Sequence, residues 1–215
     1  MVMAEATNHY FKHLGVSDGL SQVCIPSIYQ DELGAVWLGT TEGLNRYNGK
    51  DVRVFQPSES NHGLTNNEIN ELCGDKNGRM YIRSGNDLIK LDIYTEQFTC
   101  LRQKGVYGLF CKKDTLWVSC ADGIYYYTGQ GTELTFFARV QKGFVGRALY
   151  VDRETVWVVT RKYLVAISRE DPLRQEILLT LDKGNCILGD SSGNIWVGAW
   201  NGLYRVSPDR ETTAY

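Results

Sequence analysis

The chain has 215 residues, and its 23 Lys+Arg against 25 Asp+Glu leave a formal net charge of −2 with 43% hydrophobic residues. That balance excludes a disordered segment and the basic stripe of a nucleic-acid-coating protein, and no apolar run reaches the ~18 residues of a membrane span. With 22 Gly, 13 Tyr, 7 Phe and 5 Trp against only 4 Pro, the composition suits many short strands joined by tight turns.

Residues 1–9 lack the apolar stretch of a secretory signal and read as a leader. Tyr10–Leu14 reads as a single edge strand, followed by Asp18-Gly-Leu20. A first unit, 25–56, predicts strands at Ser27–Gln30, around Trp37, at Gly43–Tyr47 and at Val52–Phe55, with Asp31-Glu-Leu-Gly34 as its first hairpin. The pattern returns at 69–101 around Tyr81, at 106–140 around Trp117, at 146–181 around Trp157 and at 186–207 around Trp196. The anchors Trp37, Tyr81, Trp117, Trp157 and Trp196 are spaced by 44, 36, 40 and 39 residues. Four strands per ~40 residues predict an all-β protein, a β-propeller of four-stranded antiparallel blades, five of them in this chain. Asp171-Pro-Leu-Arg-Gln has a helix-opening pattern, whereas Glu176 to Leu181 reads as strand.

The last unit ends at Val206 without a fourth strand, and 208–215 reads as a tail. The N-terminal strand Tyr10–Leu14 is therefore expected to complete the last blade, as propeller rings do to protect their edges. On that reading the chain closes as a small ring; as a fragment of a larger ring, its Tyr10–Leu14 strand would serve a blade outside this chain.

Regular recurrence assigns Trp37, Tyr81, Trp117, Trp157 and Trp196 to packing between blades. Asp31, Asp75, Asp152 and Asp190 recur at one phase, which spreads them around a ring, so they read as acceptors for turn amides and not as an acid/base cluster. No metal-ligand spacing, phosphate loop or nucleophile elbow occurs, so neither metal nor cofactor is expected and no catalytic residue is assigned. The six cysteines read as free thiols serving as small hydrophobes, in preference to a disulfide framework. Binding residues are sought where the repeat breaks, in the loops that lead into each blade and in the second-to-third strand turns, which share one face. Trp200 and Asn201 either join an aromatic face to an amide, as sugar stacking requires, or place the Trp200 ring over the neighbouring blade. Arg83, Arg147 and Arg161 add cationic contacts, and Glu42 is a further loop candidate.

The string Tyr10-Phe-Lys-His-Leu-Gly-Val-Ser-Asp-Gly-Leu-Ser21, then Ile28 to Gly49, resembles the opening of the two-component regulator propeller, and Gly193 to Val206 resembles its repeat closely. Tyr81 departs by standing for Trp, and the third and fourth units lack the hairpin Gly. The resemblance implies the periplasmic sensor part of a Bacteroides-type hybrid two-component histidine kinase, whose propellers are seven-bladed, so that five blades are either a closed small ring or a fragment of a seven-bladed propeller. It is expected to be a non-catalytic module responding to an oligosaccharide or other small ligand. Its expected partners are the remaining sensor domains and a second protomer; no nucleic acid is bound by this region, and the membrane is reached only through a downstream segment. A glycan-cleaving hydrolase or lyase propeller and a protein-interaction propeller are the alternatives.

Overall fold

The computed structural model describes residues 13–57, 63–141 and 144–215. Among the described residues, twenty strands form five four-stranded antiparallel sheets. Blade 1 contains β1 (Ser27–Gln30), β2 (Val36–Thr40), β3 (Gly43–Tyr47) and β4 (Val52–Phe55). Blade 2 contains β5 (Ile69–Gly74), β6 (Arg79–Ser84), β7 (Asp87–Asp92) and β8 (Gln97–Arg102). Blade 3 follows with β9 (Val106–Lys112), β10 (Thr115–Cys120), β11 (Gly123–Tyr127) and β12 (Thr135–Ala138). Blade 4 holds β13 (Gly146–Val151), β14 (Thr155–Thr160), β15 (Tyr163–Ser168) and β16 (Gln175–Thr180). Blade 5 holds β17 (Cys186–Gly189), β18 (Ile195–Ala199), β19 (Gly202–Val206) and β20 (Thr212–Ala214). Asp171 to Arg174 is a turn leading into β16 and not a helix; the Arg174 amide donates to the Asp171 carbonyl at 2.9 Å.

A strand in an inner blade has neighbours on both faces, so it is apolar at every position and not only at alternate ones. All six residues of β14, Thr-Val-Trp-Val-Val-Thr, are buried for that reason. The core is accordingly divided into clusters at the junctions. Trp37 and Leu44 of blade 1 pack on Met80, Ile82 and Ile89 of blade 2. Trp117 and Ile124 meet Val156, Val158 and Val165 of blade 4, and Trp157 and Leu164 meet Ile195 and Val197 of blade 5.

The fourth strand of blade 5 is not supplied from the N-terminus. Thr212–Ala214 pairs with β19 in the register Tyr204↔Ala214 and Val206↔Thr212, and Tyr215 packs on Trp196 with ring centroids 5.8 Å apart. The chain reverses through Pro208 to Arg210, where the Arg210 amide donates to the Ser207 carbonyl at 2.9 Å and Arg210 adopts φ 66°. Short loops of this kind make a local hairpin cheaper to close than a contact spanning the whole chain. Of the expected N-terminal strand, residues 10–12 lie outside the described residues, and His13 and Leu14 are not in a strand. The segment after them covers blade 1 instead. Leu20 is buried, the Ser21 amide donates to Asn45 Oδ1 at 2.9 Å, and the Ser21 and Thr40 hydroxyls are 2.9 Å apart. Gly63-Leu64 does the same for blade 2, with Leu64 inside the first junction cluster.

The two end faces of the array are exposed. Leu188 and Leu203 of blade 5 are 64% and 43% exposed, whereas Leu164, the blade 4 counterpart of Leu203, is fully covered by blade 5. On blade 1, Ile28 is 63% exposed, against 7% for its blade 2 counterpart Leu72. The cysteines are not uniformly buried either: Cys120 is, Cys73, Cys100 and Cys111 are half-buried, and Cys24 and Cys186 are exposed.

Candidate functional site

The aspartates of the first hairpins spend their oxygens locally. Asp31 accepts from the amides of Leu33 (3.0 Å) and Ala35 (2.9 Å) through one oxygen and from Trp37 Nε1 (2.7 Å) through the other. Asp152 repeats this with Glu154, Thr155 and Trp157 Nε1 at 2.8, 2.8 and 2.6 Å. Asp190 does so with Ser192, Asn194 and Trp196 Nε1 at 2.9, 2.9 and 2.8 Å. In blade 2, where Tyr81 has no indole N–H, Arg79 Nε donates to the second oxygen of Asp75. The pairing explains why Asp and Trp recur together: a carboxylate tying a turn to the next strand needs a donor at that spot. The four carboxylates so committed belong to four different blades. Blade 3 has Lys112 at the corresponding position, and Trp117 packs there with Tyr126 and Phe137 at 5.5 and 5.1 Å.

The opposite face presents the second-to-third strand turns. Hydroxyls at the ends of the second strands fix two of them: Thr160 Oγ1 accepts from the amides of Lys162 (3.2 Å) and Tyr163 (2.8 Å), and Thr40 Oγ1 accepts from the Glu42 amide (3.1 Å). The turns therefore hold Arg161, Lys162 and Glu42 on a defined backbone, with their side chains exposed.

Two adjacent cavities open on this face. The central one, about 510 Å³, is lined by the first strands of all five blades, including Ser27, Glu71, Tyr107, Arg147 and Cys186, together with Asn185 just ahead of β17 and Arg83 of β6. Glu71 accepts from Arg83 Nε at 3.3 Å and from the Leu109 amide at 3.1 Å. Burial pushes its carboxyl up to about 6, against the pull of Arg83 and the Leu109 amide. The second cavity, about 360 Å³, lies between blades 3 and 4 and is lined by Tyr107, Phe144, Val145, Arg147, Thr160, Arg161 and Lys162. Phe144 is held at 4.8 Å from the Tyr163 ring. The cavity thus offers two aromatic rings and a valine as its apolar part, ringed by three cationic side chains.

Of the loop candidates, Arg83 and Arg147 share the central cavity, and Arg147 and Arg161 share the rim cavity. Trp200, Asn201 and Glu42 line neither. Trp200 is 75% exposed with Lys183 Nζ 3.8 Å above its ring. Asn201 is engaged locally, accepting from the Asp182 amide (3.2 Å) in the connection ahead of blade 5 and donating to the Tyr204 hydroxyl (2.6 Å). Sequence reasoning did not single out Tyr107, Phe144 or Glu71. Phe144 carried a usable signal, an aromatic residue in a loop leading into a blade; Tyr107 and Glu71 sit in strands, where nothing in the pattern separates cavity from core.

Sheet order, repeat length and the shared central cavity define a β-propeller assembly of five blades. The family model of the two-component regulator propeller matches residues 19–42, the stretch from Gly19 through Leu20, Asp31 and Trp37 to Glu42. Histidine kinase P4 of Formosa agariphila is 38% identical over 53 residues, 25% of this chain and 4% of that protein. Among solved structures, the extracellular domain assigned to hybrid two-component system BT3049 of B. thetaiotaomicron superposes with a TM-score of 0.81. It is 22% identical, and the match covers 94% of this chain and 31% of that one. Streptogramin B lyase shares the fold at a TM-score of 0.70 and 16% identity, over 92% of this chain and 70% of its own. The chain therefore spans a small part of the kinase and under a third of the extracellular domain that it matches. No helix among the described residues is long and apolar enough to cross a membrane.

Proposed function

We propose that this chain is part of the extracytoplasmic sensor module of a two-component system, that it is non-catalytic, and that its ligand is an oligosaccharide bearing acidic groups. The repeat and the kinase relative support the sensor reading. The observation that carries the ligand reading is the rim cavity between blades 3 and 4. Tyr107 and Phe144 supply faces for the apolar side of a sugar ring, and Arg147, Arg161 and Lys162 supply charge-assisted donors for carboxylate or sulfate groups. Arg147 also borders the central cavity, so a chain of sugars extending inward would meet Arg83 and Asn185 next. Signalling through such a site requires the ligand to favour one arrangement of the sensor over another.

Thermal-shift titration of the chain with uronate-containing, sulfated and neutral oligosaccharides tests this. At ~100 times Kd, an acidic oligosaccharide should stabilise the fold by about 2.7 kcal/mol, equivalent to a Tm rise of roughly 5–10 °C for a chain of this size. Arg161→Ala should abolish the rise without lowering the Tm of the free protein. Equal shifts from neutral sugars, or a shift unaffected by Arg161→Ala, would refute the acidic-ligand reading.

A further inference from the structure

Each inner junction is closed by one recurrent pair of first-strand positions. The first member lies opposite its own blade's anchor: Tyr29 opposite Trp37, Cys73 opposite Tyr81, Phe110 opposite Trp117 and Tyr150 opposite Trp157. The second member belongs to the next blade, one residue beyond the corresponding position: Gly74, Cys111, Val151 and Gly189. In two junctions a tyrosine fills the space that glycine leaves. A Cβ on Gly74 would lie 2.1 Å from the Tyr29 hydroxyl, and one on Gly189 would lie 2.1 Å from the Tyr150 ring. Phe110 and Val151 share the cluster between blades 3 and 4. The remaining junction, between blades 2 and 3, is occupied by two cysteines whose sulfurs are 2.7 Å apart.

We propose that Cys73 and Cys111 are a site of covalent cross-linking, forming a disulfide that staples blade 2 to blade 3. The fold brings the two positions together at every junction, so their meeting does not depend on a chance rotamer. A separation of 2.7 Å is well inside the ~3.5–4 Å of non-bonded heavy atoms. It exceeds a disulfide bond by only about 0.7 Å, so closure shortens an existing contact between the two side chains by that much. The partners are 38 residues apart in sequence and belong to different sheets, so the bond would constrain the unfolded chain substantially.

The oxidant is a small or protein-borne disulfide. One cysteine attacks it to give a mixed disulfide, and the other displaces the bound half. In sum, two protein thiols and one oxidant disulfide become one protein disulfide and two oxidant thiols, with the two thiol protons ending on the leaving sulfurs. Burial pushes the Cys73 thiol well up, so that thiol stays neutral and attacks slowly at neutral pH. The chemistry of the pair is independent of the sensor reading; only its persistence in the cell draws on an oxidising, extracytoplasmic location.

The full chain, reduced and then incubated with oxidised glutathione at pH 8, is denatured, alkylated without reductant and mapped by mass spectrometry. The expected result is a linked peptide pair containing Cys73 and Cys111, with titratable thiols falling from six to four. The oxidised protein should also melt higher than the reduced one, on the order of 5–10 °C, and Cys73→Ser with Cys111→Ser should remove that difference. Six remaining thiols, or a linkage joining any other pair, would overturn the proposal. A Cys73–Cys111 linkage with no Tm difference would overturn its role as a staple. Mapping the native sequence keeps the test decisive even if the double variant fails to fold.

Discussion

Single side chains set two opposite pH responses. Hydrogen bonds from the Trp196 indole and the Asn194 side chain, then the Asn194 and Ser192 amides, hold the Asp190 carboxyl down to about 2. Its folded value is below the unfolded ~3.9, so its stabilisation is complete above pH ~4 and is lost as pH falls toward 2. Glu71 runs the other way. Burial raises it to about 6, above the unfolded ~4.3, so the folded state holds the proton more tightly. The resulting stability is full below pH ~4 and lost as pH rises through about 6. Tm measured from pH 2 to 8 should show both limbs; Asp190→Asn should flatten the acid one and Glu71→Gln the one between pH 4 and 6. Neither response is legible in sequence. Asp190 is one of several equivalent-looking turn aspartates, and nothing along the chain tells the half-buried Glu71 from a solvated strand glutamate.

At the scale of the hairpin, the carboxylate and its indole form one unit. Trp37→Phe removes the indole donor to Asp31, a residue only 4% exposed, and with it the second ring of a fully buried side chain. The loss of a hydrogen bond to a buried charge should cost roughly 2–3 kcal/mol, read as an equilibrium change in urea unfolding. Tyr81→Phe should cost far less, because in blade 2 the second oxygen of Asp75 is taken by Arg79; Arg79→Ala is the substitution that should hurt there. Gly74→Ala should cost about 1–3 kcal/mol by overpacking against Tyr29. The sequence displayed this level well, since a repeat prints the same turn and anchor several times over. It misled at the end of the last unit. Thr212–Ala214 carries no anchor and follows an irregular turn, so periodicity gave it no marker, while Tyr10–Leu14 had the strand-like alternation that attracted the assignment.

Over the whole molecule, stability is a sum of blades and junctions. Blades 2, 3 and 4 are covered on both faces, whereas Leu188 and Leu203 of blade 5 and Ile28 of blade 1 face outward. Hydrogen exchange should therefore be graded. Amides of β17 and β19 should exchange faster than those of β13 and β15, roughly tenfold for each 1.4 kcal/mol of missing junction energy. Uniform protection across all five blades would contradict this. The fold class and blade count were readable because packing between repeats demands recurrence. The rim cavity was not, because its members come from a strand (Tyr107), a loop (Phe144) and a turn (Arg161) of two different blades, and binding residues share no period.

The junction pairs carry an implication for how such a chain can be rebuilt. A tyrosine in one blade is accommodated only by a glycine in the next, as Tyr29 is by Gly74 and Tyr150 by Gly189. The blades are therefore copies in fold but not in neighbour preference. If blades 3 and 5 were exchanged in order, Tyr150 would face Cys111, and Cys73 would face Gly189. One interface would be overfilled and the other would be left with a void. A reordered chain would then keep its packing only where the side chains meeting across each new seam still fill the space between them, which fixes the order of the blades as well as their fold.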